Sequence, residues 1–468
     1  MLTYQDLLEV PESDALRMEF VKKVINEHKA SELYQTAVIA DEYDRHQNRT
    51  IIQFQKLLYD VTGRAVPDNW TANFKMASRF FNRFITQENQ YLLGNGITWE
   101  NDATRNKLGD RFDTQVQKLG HKALSGAVSY GFWNNDYLYD FSVLEYAALN
   151  DEEDGAMKAG VRFWQVAPNK PLRATLYEMD GYTDYIWNKR DDEEGQILHA
   201  KRPYKYIGVQ SKADGFEIYD GENYPSFPIV PMWGNPQKQS EIVGLQSQID
   251  CYDLIKSGYA NNVDEGSLIY WTLNNAGGMD DLDLAKFVER MKKMHTAVMD
   301  DGVQAESHNI EAPYQSREAL LAKLRSDLYE DAMALDTKDI AAGNITATQI
   351  EASYEQLNSK VDQYEACVRE FLKGVLDVAG LDDEPMFSRS TIVNRQEEIQ
   401  MVLQSAQFLT DDYVTRKILT LLGDGDIADD VIKQRDADEL ERFNGVTEEA
   451  EEIGAENENG EENGSEVA

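Results

Sequence analysis

The chain has 468 residues, and 46 Lys and Arg against 84 Asp and Glu give it a formal net charge of −38. That balance excludes tight nucleic-acid binding by generic electrostatic attraction, and suits either a surface that repels phosphates or plain solubility in salt. The length allows two to four domains or one elongated multi-part subunit. Cys251 and Cys367 are the only cysteines, so no disulfide framework or cysteine zinc site is expected, and both read as helical core residues in a reducing compartment. The opening MLTYQDLLEVPESD has no basic-then-apolar leader, and no window approaches the ~20 apolar residues of a membrane span, which predicts a protein of the cytosol or assembled there.

In chain order, Ala15 to Ile52 is helical in pattern. Leu16, Phe20 and Val24 share one face, and Ser31 is placed to cap a second helix containing Leu33, Ala37 and Tyr43. A third helix is predicted from Asn73, carrying Phe74, Ala77, Phe81, Phe84 and Glu88, until Gly94 and Gly96 stop it. Another helical run, about Arg105 to Val128, precedes the turn GFWNNDYLYD and a strand. From Val161 to Pro231 the period changes to that of an antiparallel sheet, with hairpin tips at 191–195 and 213–215. The Pro-rich YPSFPIVPMWGNP then ends the strands.

The next block, Ser240 to Leu381, is the most distinctive part of the chain. Ile242, Leu245, Ile249, Tyr252, Ile255 and Tyr259 form a helical seam that Asn261 and Asn262 close. A compact α+β insert follows, with a strand-like LIYWTL, a helix LAKFVERMKKM and extended stretches near 296–299 and 307–311. Ser316 to Leu335 is a second helix, with Leu320, Leu321, Leu324 and Leu328 inward. After a polar loop, Thr337 to Ile345, comes one long helix. Its Ile350, Tyr354, Leu357, Val361, Tyr364, Val368, Phe371 and Val375 alternate by four and three, a rhythm that predicts lengthwise packing against a long partner. Helices are expected again from Asn394 to Leu409, from Thr410 to Gly423 and from Asp426 to Phe443. Thr447 to Ala468 carries nine Glu and no Lys or Arg and is read as disordered.

No catalytic constellation emerges. Gly94-Asn95-Gly96 lacks the glycines and the strand-to-helix context of a phosphate loop and reads as a helix stop. The six histidines are scattered, with none at the spacing of a helical zinc pair. Asp280, Asp281 and Asp283, like Asp424, Asp426, Asp429 and Asp430, offer oxygen ligands, but helix N-terminal charge accounts for them more simply. Lys286, Arg290, Lys292 and Lys293 form the one local basic cluster, either a solvated face or a docking surface for an acidic partner.

Three segments, NFKMASRFFNRFITQENQYLLGNGITW, NPQKQSEIVGLQSQIDCYDLIKSGYANNVDE and TKDIAAGNITATQIEASYEQLNSKVDQYE, together resemble the portal proteins of tailed bacteriophages, in the branch found in phages of Gram-positive hosts. The resemblance covers about Ser31 to Asn444. It departs at the loop AAGNITATQ and in the insert. It implies an α+β, mainly α fold: an elongated multi-part subunit with long stem helices plus an antiparallel sheet. Residues 1–239 would be the wing, 240–266 the first stem helix, 267–314 the clip, 315–336 the second stem helix and 337–345 the tunnel loop. Residues 346–381 would be the long wing helix, 382–446 a helical crown and 447–468 the acidic tail.

The same resemblance implies a homo-oligomeric ring, a 12-mer, at one capsid vertex of the virion, assembled in the host cytoplasm. Double-stranded DNA would pass without sequence-specific contacts. Terminase, head-completion or adaptor proteins, and major capsid and scaffolding proteins would be partners, and no enzyme activity, cofactor, metal or membrane is implied. Twelve copies would set several hundred negative charges around the axis, a wall that does not grip DNA. Lys338, Asp339 and Asn344 would then lie at the constriction. Arg317, Lys323 and Arg325 would face the channel or sit in intrahelical or intersubunit ion pairs, and Lys286, Arg290, Lys292 and Lys293 would dock clip partners. The alternatives are a salt-adapted acidic enzyme using magnesium carboxylates, or another minor capsid or scaffold protein.

Overall fold

The computed structural model describes residues 2–11, 13–59, 63–68, 73–188, 195–211, 217–266, 270–274, 304–308, 314–338, 347–389, 395–422, 425–435 and 437. The chain divides into two compact units. The first comprises Met1–Asp336 with Glu355–Ser390, the second Thr337–Tyr354 with Thr391–Ala468.

The first unit opens with α1 (Tyr4–Glu9), α2 (Asp14–Ala30), α3 (Glu32–Asp44) and α4 (Arg49–Gln53). Ser31 caps α3 as its position predicts, its Oγ accepting from the Tyr34 amide at 3.2 Å. Phe20 and Val24 are buried, but Leu16 is exposed. A small antiparallel pair, β1 (Leu57–Tyr59) and β2 (Ala65–Pro67), follows. Then come α5 (Phe80–Leu93), β3 (Ile97–Trp99), α6 (Asp102–Leu108) and α7 (Phe112–Gly126). α5 starts seven residues later than its aromatic spacing predicts, because residues 73–79 form no regular secondary structure. The predicted run from Arg105 is two helices, broken where Gly109 takes a positive φ.

The sheets are antiparallel throughout. β4 (Val128–Asn134) and β5 (Tyr137–Ser142) form a hairpin, and β6 (Tyr146–Asn150), β7 (Met157–Trp164), β8 (Leu172–Glu178), β9 (Gly181–Trp187) and β10 (Gln196–Arg202) form a meander in the order β10-β9-β8-β7-β6. Alternation puts Val161, Leu176, Tyr185 and Trp187 on the face that packs against Leu7, Phe20, Val21 and Ile25 of α1 and α2. β11 (Lys205–Ser211) pairs with β12 (Glu217–Glu222); both predicted hairpin tips lie largely outside the described residues. The Pro-rich segment does not simply end the strands. It contains β13 (Ile229–Trp233), an edge strand on β4 in the order β13-β4-β5, the position where Pro231 is tolerated.

α8 (Gln246–Gly266) begins after a series of turns and runs past Asn261 and Asn262. β14 (Tyr270–Asn274) and β15 (Gln304–His308) pair across the insert, whose predicted helix lies outside the described residues. α9 (Tyr314–Asp331) buries Leu328 but leaves Leu320 exposed. α10 (Ala347–Ala379) is the long helix, 33 residues or about 50 Å. Its Tyr354, Leu357, Val361, Tyr364, Val368, Phe371 and Val375 are all buried. The expectation of a purely helical stretch from 382 gives way at its start, where β16 (Pro385–Phe387) pairs with β3. The second unit contains α11 (Arg395–Ser405), α12 (Asp411–Leu422) and helical residues 428–435, with Val414, Ala428 and Ile432 buried.

Candidate functional site: the polar junction around α8, α9 and α10

The heptad rhythm of α10 predicts one long partner, and the structure supplies a composite one. The Tyr364 hydroxyl bonds Asn89 Oδ1 of α5 at 2.8 Å, and Tyr91 donates to Asn358 at 2.6 Å. Further along, a Cβ on Gly131 of β4 would stand 2.6 Å from the Phe371 ring, and one on Gly374 2.7 Å from Val230 of β13. Periodicity identified the buried stripe, but a stripe does not specify what covers it.

Lys360 interrupts that apolar stripe. Its Nζ lies 2.8 Å from Glu88 Oε2 of α5 and 2.7 Å from Glu241 Oε2, and donates to the Ala332 carbonyl at 3.2 Å. One buried ammonium thus joins four chain segments. Burial, partly opposed by Lys360 and reinforced by Glu241, pushes the Glu88 carboxyl up to about 7. Lys360 is itself raised: the two carboxylates outweigh the burial that would lower it.

α8 carries a second polar device on the face beside its predicted seam. Asp253, Ser257 and Asn261 accept from the backbone amides of Ser78, Met76 and Phe74 in antiparallel order: Asp253 from Ser78 at 2.9 Å, Ser257 from Met76 at 2.9 Å, Asn261 from Phe74 at 2.7 Å. Four helical residues rise about 6 Å and two extended residues about 6.6 Å, so the two periods match. Asp253 also accepts from Asn48 Nδ2, and burial pushes its carboxyl up. One turn earlier, Asp250 accepts from Thr50 at 2.8 Å and from the Tyr43 hydroxyl, which is pushed up to about 12 by burial and by that carboxylate. The stripe is visible as small polar residues at steps of four, a signal masked by the apolar seam beside it. Asp253→Ala leaves the Ser78 amide buried without its acceptor. We expect hydrogen exchange at Met76 and Ser78 to lose about 2–4 kcal/mol of protection, read by mass spectrometry, with α5 unaffected.

α8 and α9 run antiparallel, linked by Gln248 to Asp331, by Tyr259 ring contact with Tyr314 at 5.7 Å, and by Asn262 Oδ1, with its amide turned toward the guanidinium, to Arg317. Arg317 therefore ties the pair together. Lys323 forms an ion pair with Asp327 one turn on, at 2.5 Å, with 69% of its side chain exposed. Arg325 folds back onto Asp336 with contacts of 2.7–3.1 Å, its guanidinium 4.9 Å over the Tyr329 ring. Beside it, Gln87 of α5 donates to the Leu335 carbonyl at 3.1 Å and accepts from the Leu335 amide at 3.0 Å. The chain is thus held on both sides immediately before 337–345. Lys338 is exposed; Asp339 and Asn344, and Lys286, Arg290, Lys292 and Lys293, lie outside the described residues.

Cys251 is exposed and Cys367 partly buried, so neither is a fully enclosed core residue. Among the described residues, no group of three or more His, Cys, Asp or Glu is placed to hold a metal ion, and no helix is long and apolar enough to cross a membrane. Asp280, Asp281 and Asp283 lie outside them; Asp429 pairs with Arg416 at 2.7 Å.

Long helices joined to one another by buried polar clamps, with α10 packed against β4 and β13 of an antiparallel sheet, define a mixed α+β fold. The chain belongs to the family described as Phage portal protein, SPP1 Gp6-like, which it matches over residues 22–462. It is 23% identical over 345 residues to the portal protein of Clostridium phage phiCD119, covering 68% of this chain and 73% of that one. It is 22% identical over 445 residues to the portal protein of Bacillus phage SPP1, covering 82% and 79%. Among solved structures it is similar to a chain of the neck of a native gene transfer agent particle computed with C12 symmetry, at 10% identity and a TM-score of 0.42, over 73% of this chain and 90% of that one. Its function is accordingly that of a phage portal, a structural part of the virion.

Proposed function

We propose that the chain forms a closed homo-oligomeric ring, a 12-mer, whose wall is the α8 and α9 pair and whose constriction is residues 337–345, and that it conducts double-stranded DNA without catalysing a reaction. Residues 1–239 with 346–381 act as the wing, 240–266 and 315–336 as the stem, 267–314 as the clip and 382–446 as the crown. Terminase and head-completion or adaptor proteins dock on the ring, capsid and scaffolding proteins surround it, and assembly takes place in the host cytoplasm. The observation that carries this reading is the doubly held chain at Leu335 and Asp336: a constriction loop needs a fixed root, and Gln87 and Arg325 provide one. Arg325 serves that root, and Arg317 ties α9 to α8. Lys323 and Lys338, both exposed, are the cations we assign to the channel side, with Asp339 and Asn344 in the loop. The net charge of −38 keeps the wall from gripping phosphates.

Negative-stain imaging of the purified chain tests the proposal. Rings with a central hole that admits a DNA duplex are expected, and remain after deletion of Thr447 to Ala468. A chain that stays monomeric across protein concentration and salt overturns it.

A further inference from the structure

A cavity of about 440 Å³ opens on the sheet, between the β4–β5 hairpin, β7 to β9 and the start of β11. Its wall is aromatic. Phe132 lies 5.4 Å from Tyr177 and 6.0 Å from Tyr204, and Tyr182 lies 5.9 Å from Tyr177 and 5.7 Å from Tyr204. Phe132, Tyr177 and Tyr204 are nearly buried, whereas Tyr139 and Tyr206 at the mouth are exposed. Among the described residues, the charged ones that line the cavity are Arg162 and Lys205, and none is a carboxylate. In a chain with 84 Asp and Glu, that is a local reversal of sign.

Both cations are held in place by rings. The Arg162 guanidinium sits 4.3 Å over Phe141 and 5.0 Å over Trp164, and the Lys205 ammonium 4.4 Å over Tyr224. Arg162 pairs with Glu145 only through Nη2 at a long 3.4 Å, and 31% of its side chain stays exposed, which leaves the guanidinium able to take a second carboxylate. Asn135 is fixed at the rim, its backbone donating to the Tyr224 hydroxyl at 2.7 Å, so the site is formed in advance.

We infer that this cavity is a docking site for an acidic segment of a partner protein that inserts one aromatic side chain among Phe132, Tyr177 and Tyr204 and sets a neighbouring carboxylate against Arg162 and Lys205. Tyrosine, arginine and asparagine around a preformed pit are the composition of protein-recognition surfaces. Its volume is in the range of ligand pockets, and the missing carboxylates select an anionic partner over a basic one. This inference does not depend on the DNA-conduit reading, since none of the described residues 314–338 lines the cavity.

The test is fluorescence anisotropy of a fluorescein-labelled peptide, Glu-Glu-Tyr-Glu, titrated with the full chain, against the same peptide with Lys for Glu and one with Ala for Tyr. We expect saturable binding of the first alone, weakened roughly tenfold by Arg162→Gln and by Lys205→Glu. Lys205 is half-exposed, so its replacement leaves the core intact and keeps the test decisive if Arg162→Gln disturbs folding. Equal binding of the Lys peptide, no binding of any peptide, or an affinity unchanged by Lys205→Glu overturns the proposal. Full displacement by thymidine monophosphate also overturns it, assigning the cavity to nucleotides.

Discussion

Lys360→Met should destabilise the protein by about 3–5 kcal/mol at neutral pH, the usual cost of removing one partner from a buried ion pair. The Lys360 side chain is 14% exposed and those of Glu88 and Glu241 are 3% and 14% exposed, so little solvent is at hand to replace the ammonium. Methionine preserves the length of the side chain and leaves two carboxylates facing each other. The pH dependence has a definite sign. Glu88 already sits above its unfolded value, at about 7, so the stability linked to its proton is fully present below pH 4.5 and is lost as pH rises through 7. Without Lys360 the carboxyl rises further, and the loss continues to higher pH. The deficit of the variant therefore grows between pH 6 and pH 8, as read from urea midpoints at each pH. Glu88→Gln should flatten the same slope in the otherwise unchanged protein. A deficit independent of pH would show that Glu88 and Lys360 are not coupled.

The second large effect is expected at a glycine. Gly120→Ala places a Cβ inside contact distance of both the Tyr364 hydroxyl and Asn89 Oδ1, which are bonded to each other, and 3.3 Å from Leu93 Cδ1. Alanine favours a helix by about 1 kcal/mol, but overpacking this contact costs more, so a net loss of about 2 kcal/mol is expected. Tyr364→Phe removes the hydroxyl and should recover part of that loss in the double variant, a coupling that a thermal-melt cycle measures. Gly258→Ala in α8 is the contrasting case. Open space surrounds that position, and the substitution should raise the midpoint. If both alanines behaved alike, the close approach of α7 to α10 would carry no energetic weight.

Much of the fold was legible because its signals are local. The Ser31 cap, the glycine-terminated α5, the strand alternation in β9 and the buried stripe of α10 all follow from the spacing of a few neighbouring residues. Three features were not legible, each for a long-range reason. α5 begins late because the amides of Phe74, Met76 and Ser78 are taken by α8, almost two hundred residues on. The α10 stripe is covered by pieces of α5, β4 and β13, which no periodicity can pick out. Pro231 read as a strand breaker, yet β13 is an edge strand, where the missing amide is tolerated. The cations of α9 show the same limit. Their spacing allowed channel contacts or ion pairs equally, and only the fold shows that Arg325 meets Asp336 and Arg317 meets Asn262.

The ladder between residues 73–79 and α8 has a mechanical consequence. Its three bonds lie side by side along the helix axis, joining Asp253, Ser257 and Asn261 to alternate amides. A force directed along α8 loads all three in parallel, as in shear, and they must fail together. A force directed away from α8 opens them in sequence, as in peeling. The attachment is therefore stiff against sliding and soft against lifting. A helix that must transmit axial thrust, while its neighbours tilt, is well served by that anisotropy.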